Sequence, residues 1–490
     1  MMKQADEVSI IKLYDICGCA EEQGLENCEI TSVTDNTADV TKKSLFVCIK
    51  GARFDGHSVA QKMIEKGAAA VVAEYDTGAE RQIIVDNTRL ALAELCSAFN
   101  GEPTKKLALI AVTGTNGKTT VAHLVKHILT TFGKKCGCIG TAGNDLCDGK
   151  LTDSPHGTPT TPGPTTLYRW FSEMVENGAE YCVMEASSMA LCQHRIADEK
   201  FLSAGFTNLT RDHLDYHITM ENYFDAKARL FTLTDNAVIC IDDDYGRILA
   251  ERHSKTAITY SVKEQADIYA DYIKMTASSS EFMLIDSRNE KACRVKLNMT
   301  GLYNVQNALC AIALVSACGY DVTECAKALE SCKGVDGRLN TIYEGDFTVI
   351  TDYAHTDDAL RKMLSAVKPT VKGRLICLFG GTGERDREKR PMMAKAVSEY
   401  ADILVISSDN PASEDPIQII EEVYKGADKS LPCIKEPDRR LAIEKAIKTA
   451  RKGDVIVLAG KGHERYQIIG KEYQPFCERE IVEEILSRKE

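Results

Sequence analysis

The chain has 490 residues and a formal net charge of −12, from 60 Lys and Arg against 72 Asp and Glu. Its length predicts roughly three domains, and a composition of 44% hydrophobic and 27% charged residues excludes a disordered, fibrous or collagen-like chain. The acidic balance argues against a generic nucleic-acid binder, because sequence-independent binding requires clustered Lys and Arg.

The first 18 residues, MMKQADEVSIIKLYDICG, carry charges where a signal peptide would need an apolar core. No run approaches the roughly 18 consecutive apolar residues of a membrane helix. We therefore expect a cytoplasmic protein without membrane insertion. The 19 cysteines lie mostly inside apolar runs, which favours reduced, buried thiols. The pairs Cys17/Cys19 and Cys136/Cys138 are weak candidates for a metal site, because no second pair stands at zinc-site spacing.

Residues 1–103 predict a small N-terminal α/β domain. The segment SLFVCIKG (44–51) is typical of a strand, SVAQKMIEKGA (58–68) of a helix and AAVVAE (69–74) of a second strand. The polar segment FNGEPTKK (99–106) contains Gly and Pro, and predicts a linker to the next domain.

Residues 104–334 predict a central domain and residues 335–490 a C-terminal domain, each built on apolar runs typical of buried parallel strands. The runs are LALIAVTG (107–114), YCVMEASS (181–188), SAGFTNLT (203–210), AVICIDDD (237–244), TVITDYAH (348–355), RLICLFGG (374–381), ILVISSDN (403–410) and VIVLAGKG (455–462). Helix-like stretches between them predict an α/β chain, with a P-loop-type, mostly parallel central sheet and a Rossmann-like C-terminal domain. Each run ends in a polar or Gly-rich cluster, where open α/β sheets bind ligands.

The segment after the first central strand has the composition of a phosphate-binding loop. It consists of Gly114, Thr115, Asn116, Gly117, Lys118, Thr119 and Thr120. An amphipathic helix follows, so backbone N–H groups at the turn can face an anion, while the lysine adds a cation and a threonine hydroxyl can reach Mg²⁺. The Gly-x-x-Gly-Lys spacing is shorter than a standard Walker A motif. The alternative is a Gly-rich turn with a solvated lysine, but both flanks favour a nucleoside triphosphate site.

The loop sequence GTNGKTT is also typical of the Mur ligases and their folylpolyglutamate synthetase relatives. Further segments, spread over nearly the whole chain, resemble the Mur ligases that add the third residue of the peptidoglycan stem peptide. They are TPTTPGPTTL (158–167), EASSMALCQHRI (185–196), TNLTRDHLDYHITMENYFDAKARLF (207–231), GLYNVQNALCA (301–311), GVDGRLN (334–340), DYAHTDDAL (352–360), GGTGERDREKRPMM (380–393), DNPASEDP (409–416) and GKGHERYQ (460–467).

The resemblance implies an ATP-dependent, ADP-forming amide ligase with Mg²⁺ as cofactor, acting as a monomer on small molecules. The N-terminal domain would bind the uridine nucleotide sugar, the central domain ATP and the C-terminal domain the amino acid. The carboxylate of UDP-N-acetylmuramoyl-L-alanyl-D-glutamate would attack the γ-phosphate of ATP. The amine of a diamino acid would then displace phosphate from the acyl phosphate. These steps require charge neutralisation between two anions and an in-line geometry.

The resemblance also assigns residues to these ligands. For ATP they are residues 114–120 of the loop with Asn304, Arg338, Asp352 and His355. For the metal they are Thr119, Glu185, His213 and Lys227, the last as N6-carboxylysine; the implied catalytic set is Lys118, Lys227, His213 and Glu185. For the nucleotide-sugar dipeptide they are Asn36, Thr160, Thr161, Ser187, Gln193 and Arg195. For the amino acid they are Arg390, Asp409, Asn410, Ala412, Gly460 and Glu464.

Several of these residues also have simpler explanations. Taken alone, Lys227 is typical of a solvated helix lysine, His213 fits either a capping or a ligand role, and segment 352–355 fits the cap of the next helix. Glu185 is harder to explain in this way, because a carboxylate at the end of a buried strand needs a cation or hydrogen-bond donors.

In the first domain the sequence departs from the family pattern. The family usually has Asp-Ser-Arg where uridine binds, and this chain has Asp35-Asn36-Thr37. Asn36 would take the place of the serine and Thr37 that of the arginine. The uridine contacts at this segment are therefore left open by the sequence.

The segment Asp409-Asn410-Pro411-Ala412 bears on which amino acid is added. Family members that take meso-diaminopimelate typically have Asp-Asn-Pro-Arg, in which the arginine binds the second carboxylate. With Ala412, we expect a site that favours a side-chain ammonium, as in L-lysine or L-ornithine, and L-lysine is the main prediction. Meso-diaminopimelate is the alternative, because GKGHERYQ keeps the diaminopimelate-type His463 and Glu464, and Arg465 could supply a cation.

Two more remote functions are also considered. A folylpolyglutamate synthetase-like ligase is disfavoured by the EASSMALCQHRI and DNPASEDP segments. A P-loop kinase would need neither a carbamylated lysine nor a diamino-acid pocket.

Overall fold

The computed structural model describes residues 11–51, 54–152, 159–197, 199–276, 279–335 and 337–487. Residues 1–10, Thr158 and Asp336, which belong to segments discussed above, lie outside this description. The chain divides into two compact units, one formed by residues 1–110 and 134–202 and the other by residues 111–133 and 203–490. The predicted boundaries after residues 103 and 334 remain predictions.

The N-terminal part of the first unit is built on a four-stranded parallel sheet. In sheet order its strands are Ser32–Thr34, Ser44–Val47, Ala70–Ala73 and Gln82–Ile84. Its α-helices are Leu13–Ile16, Cys19–Glu22, Ala60–Lys66 and Thr88–Phe99, with 3-10 turns at Gly56–Val59 and Pro103–Lys105 and an antiparallel pair Ile11–Lys12 and Glu29–Ile30. The two central strands, SLFV and AVVA, are mainly apolar and are buried throughout. The predicted strands and helix of this region are confirmed.

The second part of the first unit places a helix between two parallel strands. Its strands are Cys136–Ile139, Asn144–Asp145, Leu151–Thr152 and Tyr181–Glu185, and its helices are Pro164–Glu176 and Ser188–Cys192. Cys136–Ile139 runs parallel to Tyr181–Glu185, with Tyr181 opposite Cys136. The helix Pro164–Glu176 begins with proline, whose missing N–H costs nothing at a helix start.

The first part of the second unit begins within the strand Ala108–Thr113, at Ala111, and continues into the helix Lys118–Thr131. Its further strands are Ser203–Phe206, Ala237–Cys240, Ala257–Ser261, Ile268–Met275, Ser280–Asp286 and Lys291–Leu297, of which the first four run parallel and the last two extend the sheet antiparallel. Its helices are Leu214–His217, Met220–Ala228, Asp244–Arg252, Leu302–Ala317 and Val322–Ala328, with 3-10 turns Arg229–Leu233 and Leu329–Ser331. Helix Leu302–Ala317 is apolar on nearly every side and is almost wholly buried.

The last part of the second unit is a six-stranded sheet with helices on both faces. In sheet order its strands are Asn340–Glu344, Thr348–Asp352, Val455–Ala459, Leu375–Phe379, Ile403–Ser407 and Cys433–Glu436. Its helices are Asp357–Val367, Lys389–Ser398, Pro416–Tyr424, Arg439–Thr449 and Glu478–Ser487, with a 3-10 turn Lys368–Thr370 and a hairpin of Tyr466–Ile469 and Glu472–Pro475. All pairs except the first are parallel, so the carboxyl ends of these strands share one edge.

Within the described residues no helix is long and apolar enough to cross a membrane. The structure describes all 19 cysteines, and no disulfide joins any of them. Burial raises the thiol pKa of Cys377 and Cys182, which lie inside strands, so these thiols are protonated and unreactive.

A buried ion pair joins the C-terminal sheet to its last helix. The guanidinium of Arg439 donates to Glu478 Oε1 from Nε (2.9 Å) and from Nη2 (2.8 Å), and neither side chain is more than 1% exposed. Arg439 also donates to the backbone oxygens of Ser408 (3.1 Å) and Ala459 (2.7 Å), which follow or end two parallel strands. Thr351 donates its hydroxyl to the other carboxylate oxygen of Glu478 (3.3 Å). The pair thus holds together the strand ends from which the site loops depart.

We expect Arg439→Met to lower the free energy of unfolding by about 3–5 kcal/mol, because it leaves the Glu478 carboxylate buried without its cation. The matched control is Arg440→Met on the same helix. Arg440 pairs with Glu484 at the surface, where the side chains are 40% and 43% exposed, and such a pair contributes about 0–1 kcal/mol. Guanidinium chloride unfolding of the two variants measures the difference, and equal losses would contradict the structural role of Arg439.

Candidate functional site

The predicted phosphate loop is a tight turn between the strand Ala108–Thr113 and the helix that begins at Lys118. Gly114 has φ +147° and Gly117 φ +90°, and a Cβ atom would lie 1.9 Å from Thr207 Oγ1 at the first position and 2.4 Å from Asn307 Oδ1 at the second. Both positions therefore require glycine. Thr207 donates its hydroxyl to the Asn116 carbonyl (2.6 Å), which fixes the turn against the neighbouring strand end. The predicted strand–turn–helix context is confirmed.

Two lysines meet at the start of this loop. Lys118 donates to the carbonyls of Gly114 (3.0 Å) and Thr115 (2.9 Å), and Lys227 donates to the Gly114 carbonyl (2.8 Å). Lys227 is 1% exposed, so it is not the solvated helix lysine that its helix position alone suggests. Its burial, with the Lys118 charge adding to the effect, holds the pKa of Lys227 well below its usual range. The side-chain nitrogens of two lysines thus share one backbone carbonyl at the start of the loop.

An acidic residue that the sequence analysis did not single out lies beside this loop. Asp212 is buried, with Oδ2 lying 3.5 Å from His213 Nε2 and Oδ1 lying 3.5 Å from Lys389 Nζ. Burial alone would raise the pKa of Asp212, but Lys389 and His213 hold it well below its usual range. Burial lowers the pKa of His213 to about 3, so its ring is neutral at pH 7 and able to bind a metal. The signal for Asp212 was its position directly before the predicted ligand.

The residues predicted as metal ligands are divided between the two units. Thr119, His213 and Lys227 belong to the second unit, and Glu185 to the first. Glu185 is 1% exposed and accepts from the Thr141 backbone N–H (2.7 Å) and hydroxyl (3.3 Å), which are the donors its burial requires. Over the described ranges no three His, Cys, Asp or Glu side chains cluster closely enough to hold a metal ion. Hydroxyl and phosphate oxygens would therefore complete the coordination that Mg²⁺ prefers.

A cavity opens beside the phosphate loop, within the second unit. It is lined by Asn116, Gly117 and Thr120 of the loop, Thr207 and Asn208 of the neighbouring strand end, Tyr260, Tyr303, Gln306 and Asn307, and Arg338, Asp352, Ala354, Ala359, Lys362 and Met363. Asn304, the predicted ATP contact on the helix Leu302–Ala317, donates to the Thr300 carbonyl (2.8 Å). The same helix lines the cavity with Tyr303, Gln306 and Asn307. Their i, i+3, i+4 spacing was the available signal for a shared face.

Arg338 connects the C-terminal part of the unit to the phosphate loop. Its Nη2 donates to Thr119 Oγ1 (3.0 Å), and its guanidinium carbon lies 4.6 Å from the centre of the Tyr353 ring. Its Nε is buried and has no hydrogen-bond partner among the described residues, which suits an anionic ligand. The structure thus brings together Arg338 and loop residues that lie more than 200 positions earlier.

Asp352 ends a strand and is not a helix cap. It accepts from the backbone N–H groups of Leu339 (2.7 Å) and Ala354 (2.8 Å), while burial raises the pKa of its carboxyl group. The next helix is capped by Thr356, whose hydroxyl accepts from Ala359 N–H (3.2 Å). The alternative in which segment 352–355 only caps a helix is therefore wrong. His355 is half-buried and bonds the Tyr353 carbonyl (2.9 Å).

Three of the residues predicted to bind the amino acid, Asp409, Asn410 and Glu464, contact a buried lysine that is absent from the predicted set. Lys461 is fully buried, and its Nζ donates to Asn410 Oδ1 (2.5 Å) and Glu464 Oε2 (2.9 Å) and lies 3.4 Å from Asp409 Oδ1. Gly460 adjoins the cluster, where a Cβ atom would lie 3.2 Å from Asp409 Oδ2. Asp409 Oδ1 is buried and faces Lys461 as an ion pair rather than in a well-formed hydrogen bond. The cluster thus combines two carboxylates with one ammonium.

Arg390 is oriented toward carboxylates of its own chain. It is fully buried, its Nη1 donates to Glu414 (3.0 Å) and Glu422 (2.7 Å), and its Nη2 donates to Glu414 (2.9 Å) and to the Thr382 carbonyl (2.9 Å). The Arg390 Nε–H is buried and has no hydrogen-bond partner in the described part of the chain, so it remains as a donor for another acceptor. The proposed bond from Arg390 to a substrate carboxylate remains a prediction.

Ala412 and Arg465 lie on backbone that the hairpin Tyr466–Ile469 and Glu472–Pro475 helps to fix. Ala412 donates its N–H to the Ile468 carbonyl (3.2 Å) and accepts from Gly470 N–H (2.8 Å). Arg465 is 72% exposed and lies 3.5 Å from Glu480. The structure thus gives Arg465 a surface partner of opposite charge.

Five residues predicted for the nucleotide-sugar dipeptide lie together in the first unit. Arg195 donates to the Thr161 carbonyl from Nη1 (2.5 Å) and to Gln193 Oε1 from Nε (3.1 Å) and Nη2 (2.9 Å). Thr161 Oγ1 donates to the Glu185 carbonyl (2.7 Å) and lies 3.2 Å from Ser187 Oγ. Thr160 completes the group as acceptor of the Thr141 hydroxyl (3.2 Å).

A cavity of about 240 Å³ lies beside these residues, also within the first unit. It is lined by Asp35, Ile49, Arg89, Leu92, Pro159, Gly163, Pro164, Gln193 and Arg195. Asn36, predicted as a uridine contact, is not among them. The side-chain Oδ1 of Asn36 accepts from the Ala38 N–H (3.0 Å), and its Nδ2 donates to Asp39 Oδ2 (3.0 Å), so the side chain closes its own turn.

Comparison with known families gives matches along most of the chain. The family models that match are described as Mur ligase family, catalytic domain, over residues 29–100, Mur ligase middle domain over residues 112–315, and Mur ligase, glutamate ligase domain, over residues 337–462.

Individual relatives match over nearly their full length. The chain is 42% identical over 469 residues to the UDP-N-acetylmuramoyl-L-alanyl-D-glutamate–2,6-diaminopimelate ligase of Geobacillus thermodenitrificans, covering 93% of this chain and 94% of the relative. It is 40% identical to the Clostridium tetani protein of the same name, covering 94% and 95%. A solved structure of a ligase with this name has a TM-score of 0.66 at 30% identity, covering 94% and 95%. The MurF ligase of Thermotoga maritima in complex with ADP has a TM-score of 0.62 at 19% identity, covering 94% and 97%, and shares the fold.

These matches confirm the family resemblance, the three-part α/β fold class and the predicted class of enzyme. The chain is an ATP-dependent, ADP-forming ligase that uses Mg²⁺ and acts on small molecules in cell-wall synthesis. The predicted preference for L-lysine is not confirmed, since these relatives are named for diaminopimelate. By its full-length likeness to these relatives, the chain belongs to the Mur ligase family.

Proposed function

We propose that this ligase joins meso-diaminopimelate to UDP-N-acetylmuramoyl-L-alanyl-D-glutamate in the cytoplasm, through an acyl phosphate. The observation that carries the proposal is the 40–42% identity, over almost the whole length, to relatives named for this reaction. The amide bond forms between the carboxylate of the dipeptide and the amine of the diamino acid, and ATP is converted to ADP and phosphate. L-lysine is the second candidate and rests on Ala412, as argued below.

The first step brings a carboxylate against the γ-phosphate of ATP, and the two anions repel each other. Lys118 and the loop N–H groups would bind the phosphates, and the Arg338 guanidinium, already bonded to Thr119, lies at the same loop. Fixed cations and amides of this kind stabilise the charge that develops in phosphoryl transfer. Mg²⁺, when bound, would neutralise phosphate charge, and Thr119 and His213 would hold it from the second unit. Glu185 remains a predicted ligand in the first unit.

Lys227 is proposed to act as a carbamate. Carbon dioxide reacts with a neutral amine, and the burial that lowers the pKa of Lys227 favours that form over the ammonium. The nitrogen forms a bond to carbon and loses a proton, so the side chain changes from a cation into an anion. An anion beside Lys118 would replace a repulsion by an attraction and provide oxygen ligands for Mg²⁺.

We expect Lys227→Ala to lower ligation at least about a hundredfold, because the oxygen ligands of the carbamate are lost. A short-chain carboxylic acid such as acetate should partly restore the activity of this variant by supplying a carboxylate in the space left. Lys118→Ala is the matched control, since the same acid cannot replace a cation and should restore nothing. Steady-state ADP release measures both variants, and full activity of plain Lys227→Ala would remove the carbamate from the mechanism.

L-lysine is supported by one local observation, the alanine at position 412. Diaminopimelate carries a second carboxylate that lysine lacks, and Ala412 offers only a methyl group and backbone atoms to it. Arg465, the cation suggested as a substitute, is at the surface beside Glu480. Asp409 would bind the distal ammonium of either amino acid, but the buried Lys461 neutralises part of the negative charge there. The carboxylate of the side chain is therefore what distinguishes the two candidates.

The test of the proposed function measures ADP release from the purified protein with ATP, Mg²⁺ and UDP-N-acetylmuramoyl-L-alanyl-D-glutamate. We expect release when meso-diaminopimelate is present, with product of the mass of the tripeptide. Release with L-lysine alone would favour the second candidate. Equal ADP release without the dipeptide or without any amino acid would contradict a ligase and favour a kinase or an ATPase.

Replacing Ala412 by arginine tests the carboxylate argument directly. A charge-assisted hydrogen bond contributes about 1.5–3 kcal/mol, so Ala412→Arg should raise the ratio of kcat/KM for diaminopimelate over lysine at least about tenfold. Ala412→Met adds a side chain of comparable length without charge and should leave the ratio near that of the parent protein. An unchanged ratio in Ala412→Arg would show that the amino acid is selected elsewhere.

A further inference from the structure

The first unit lacks an arginine where the family resemblance leads one to expect it. Thr37 occupies that position, and its carbonyl accepts a hydrogen bond from Lys66 (2.7 Å). Asn36 is engaged within its own turn. This segment therefore supplies no arginine to an anionic nucleotide sugar.

The 240 Å³ cavity of the first unit contains two arginines and one carboxylate. Arg195 is held by Gln193 and by the Thr161 carbonyl, beside Ser187, among the residues predicted for the dipeptide. Arg89 approaches the cavity from the helix Thr88–Phe99, which begins one residue before it. The two guanidinium groups thus reach one cavity from different elements.

Arg89 is held by one backbone carbonyl, that of Lys50, and its other guanidinium N–H groups remain for a ligand. Its Nη2 donates to the Lys50 carbonyl (2.8 Å), the acceptor that the described residues provide for it. Burial raises the pKa of Asp35 at the cavity wall, while the charges of Arg89 and Arg195 act in the opposite direction. The cavity therefore holds two cations against one carboxylate, a balance that favours an anionic ligand.

We propose that Arg89 binds the diphosphate of the UDP-linked substrate, supplying the cation that Thr37 does not. The inference rests on the proposed function, which makes a uridine diphosphate sugar the ligand of this unit. The diphosphate is the part of that substrate with the densest charge. A guanidinium presents paired N–H groups that match phosphate oxygens, which a threonine cannot do. Arg195, already bonded at Thr161 near the dipeptide residues, is left for the peptide end.

The test compares Arg89→Met with Arg81→Met. Arg81 is an exposed arginine of the same unit whose Nη2 also donates to one backbone carbonyl, that of Ala68 (3.1 Å), but it does not line the cavity. We expect Arg89→Met to raise the KM for the nucleotide-sugar dipeptide at least about tenfold and to leave the KM for ATP within about twofold. Arg81→Met should change neither value. An unchanged KM for the dipeptide substrate in Arg89→Met would overturn the proposal.

Binding of UDP and of uridine, measured by calorimetry, separates diphosphate recognition from a general loss of the fold. Arg89→Met should lose most of the preference for UDP over uridine, and Arg89→Lys should keep part of it because the charge remains. Equal weakening of UDP and uridine would overturn the assignment to the diphosphate. Because the binding measurement needs no turnover, it tests the role of Arg89 even if the protein does not catalyse ligation. Intact UDP binding without ligation would contradict the proposed function but not the role of Arg89.

Discussion

The buried amine of Lys227, which donates to the carbonyl of Gly114, is the constraint on which the arrangement of the phosphate loop depends. An ammonium group that is 1% exposed is costly, and here a second lysine donates to the same carbonyl. The protein lowers the pKa of Lys227, and a conversion of its charge would remove the conflict. The carbonyl itself is held in place because Gly114 passes so close to Thr207 that no side chain fits. A lysine on one helix and a glycine on a distant turn are thus parts of one electrostatic arrangement.

The C-terminal part of the second unit supplies the other side of this site. Arg338 reaches Thr119 at the start of the phosphate-loop helix, and Asp358 accepts from the Asn116 amide (3.0 Å). Both contacts join residues more than 200 positions apart, and both involve the side chains that line the adjoining cavity or flank it. The loop is therefore contacted by Arg338, which precedes the strand Asn340–Glu344, and by Asp358 of the helix Asp357–Val367.

The residues predicted to bind the amino acid include charged side chains that follow the ends of parallel strands. Asp409 and Glu464 are drawn together by Lys461, and the buried pair Arg439–Glu478 holds the strand ends beneath them. In such a buried setting, one unpaired charge changes the binding free energy by more than it would at the surface, because the effective dielectric constant is lower. The single residue Ala412 can therefore affect which amino acid is bound, even though relatives about 40% identical are named for diaminopimelate.

The family, the α/β class and the strand–turn–helix context of the phosphate loop could be predicted from the sequence, because glycines, apolar runs and ordered motifs are local signals. The candidate site residues were predicted to lie at strand ends, since parallel strands share one edge. Three contacts could not be predicted in this way: Asp212 pairs with Lys389, Lys461 lies among residues predicted to bind the amino acid, and Arg390 faces two glutamates of its own chain. These are contacts between side chains far apart in sequence, and their geometry depends on packing that no local pattern records.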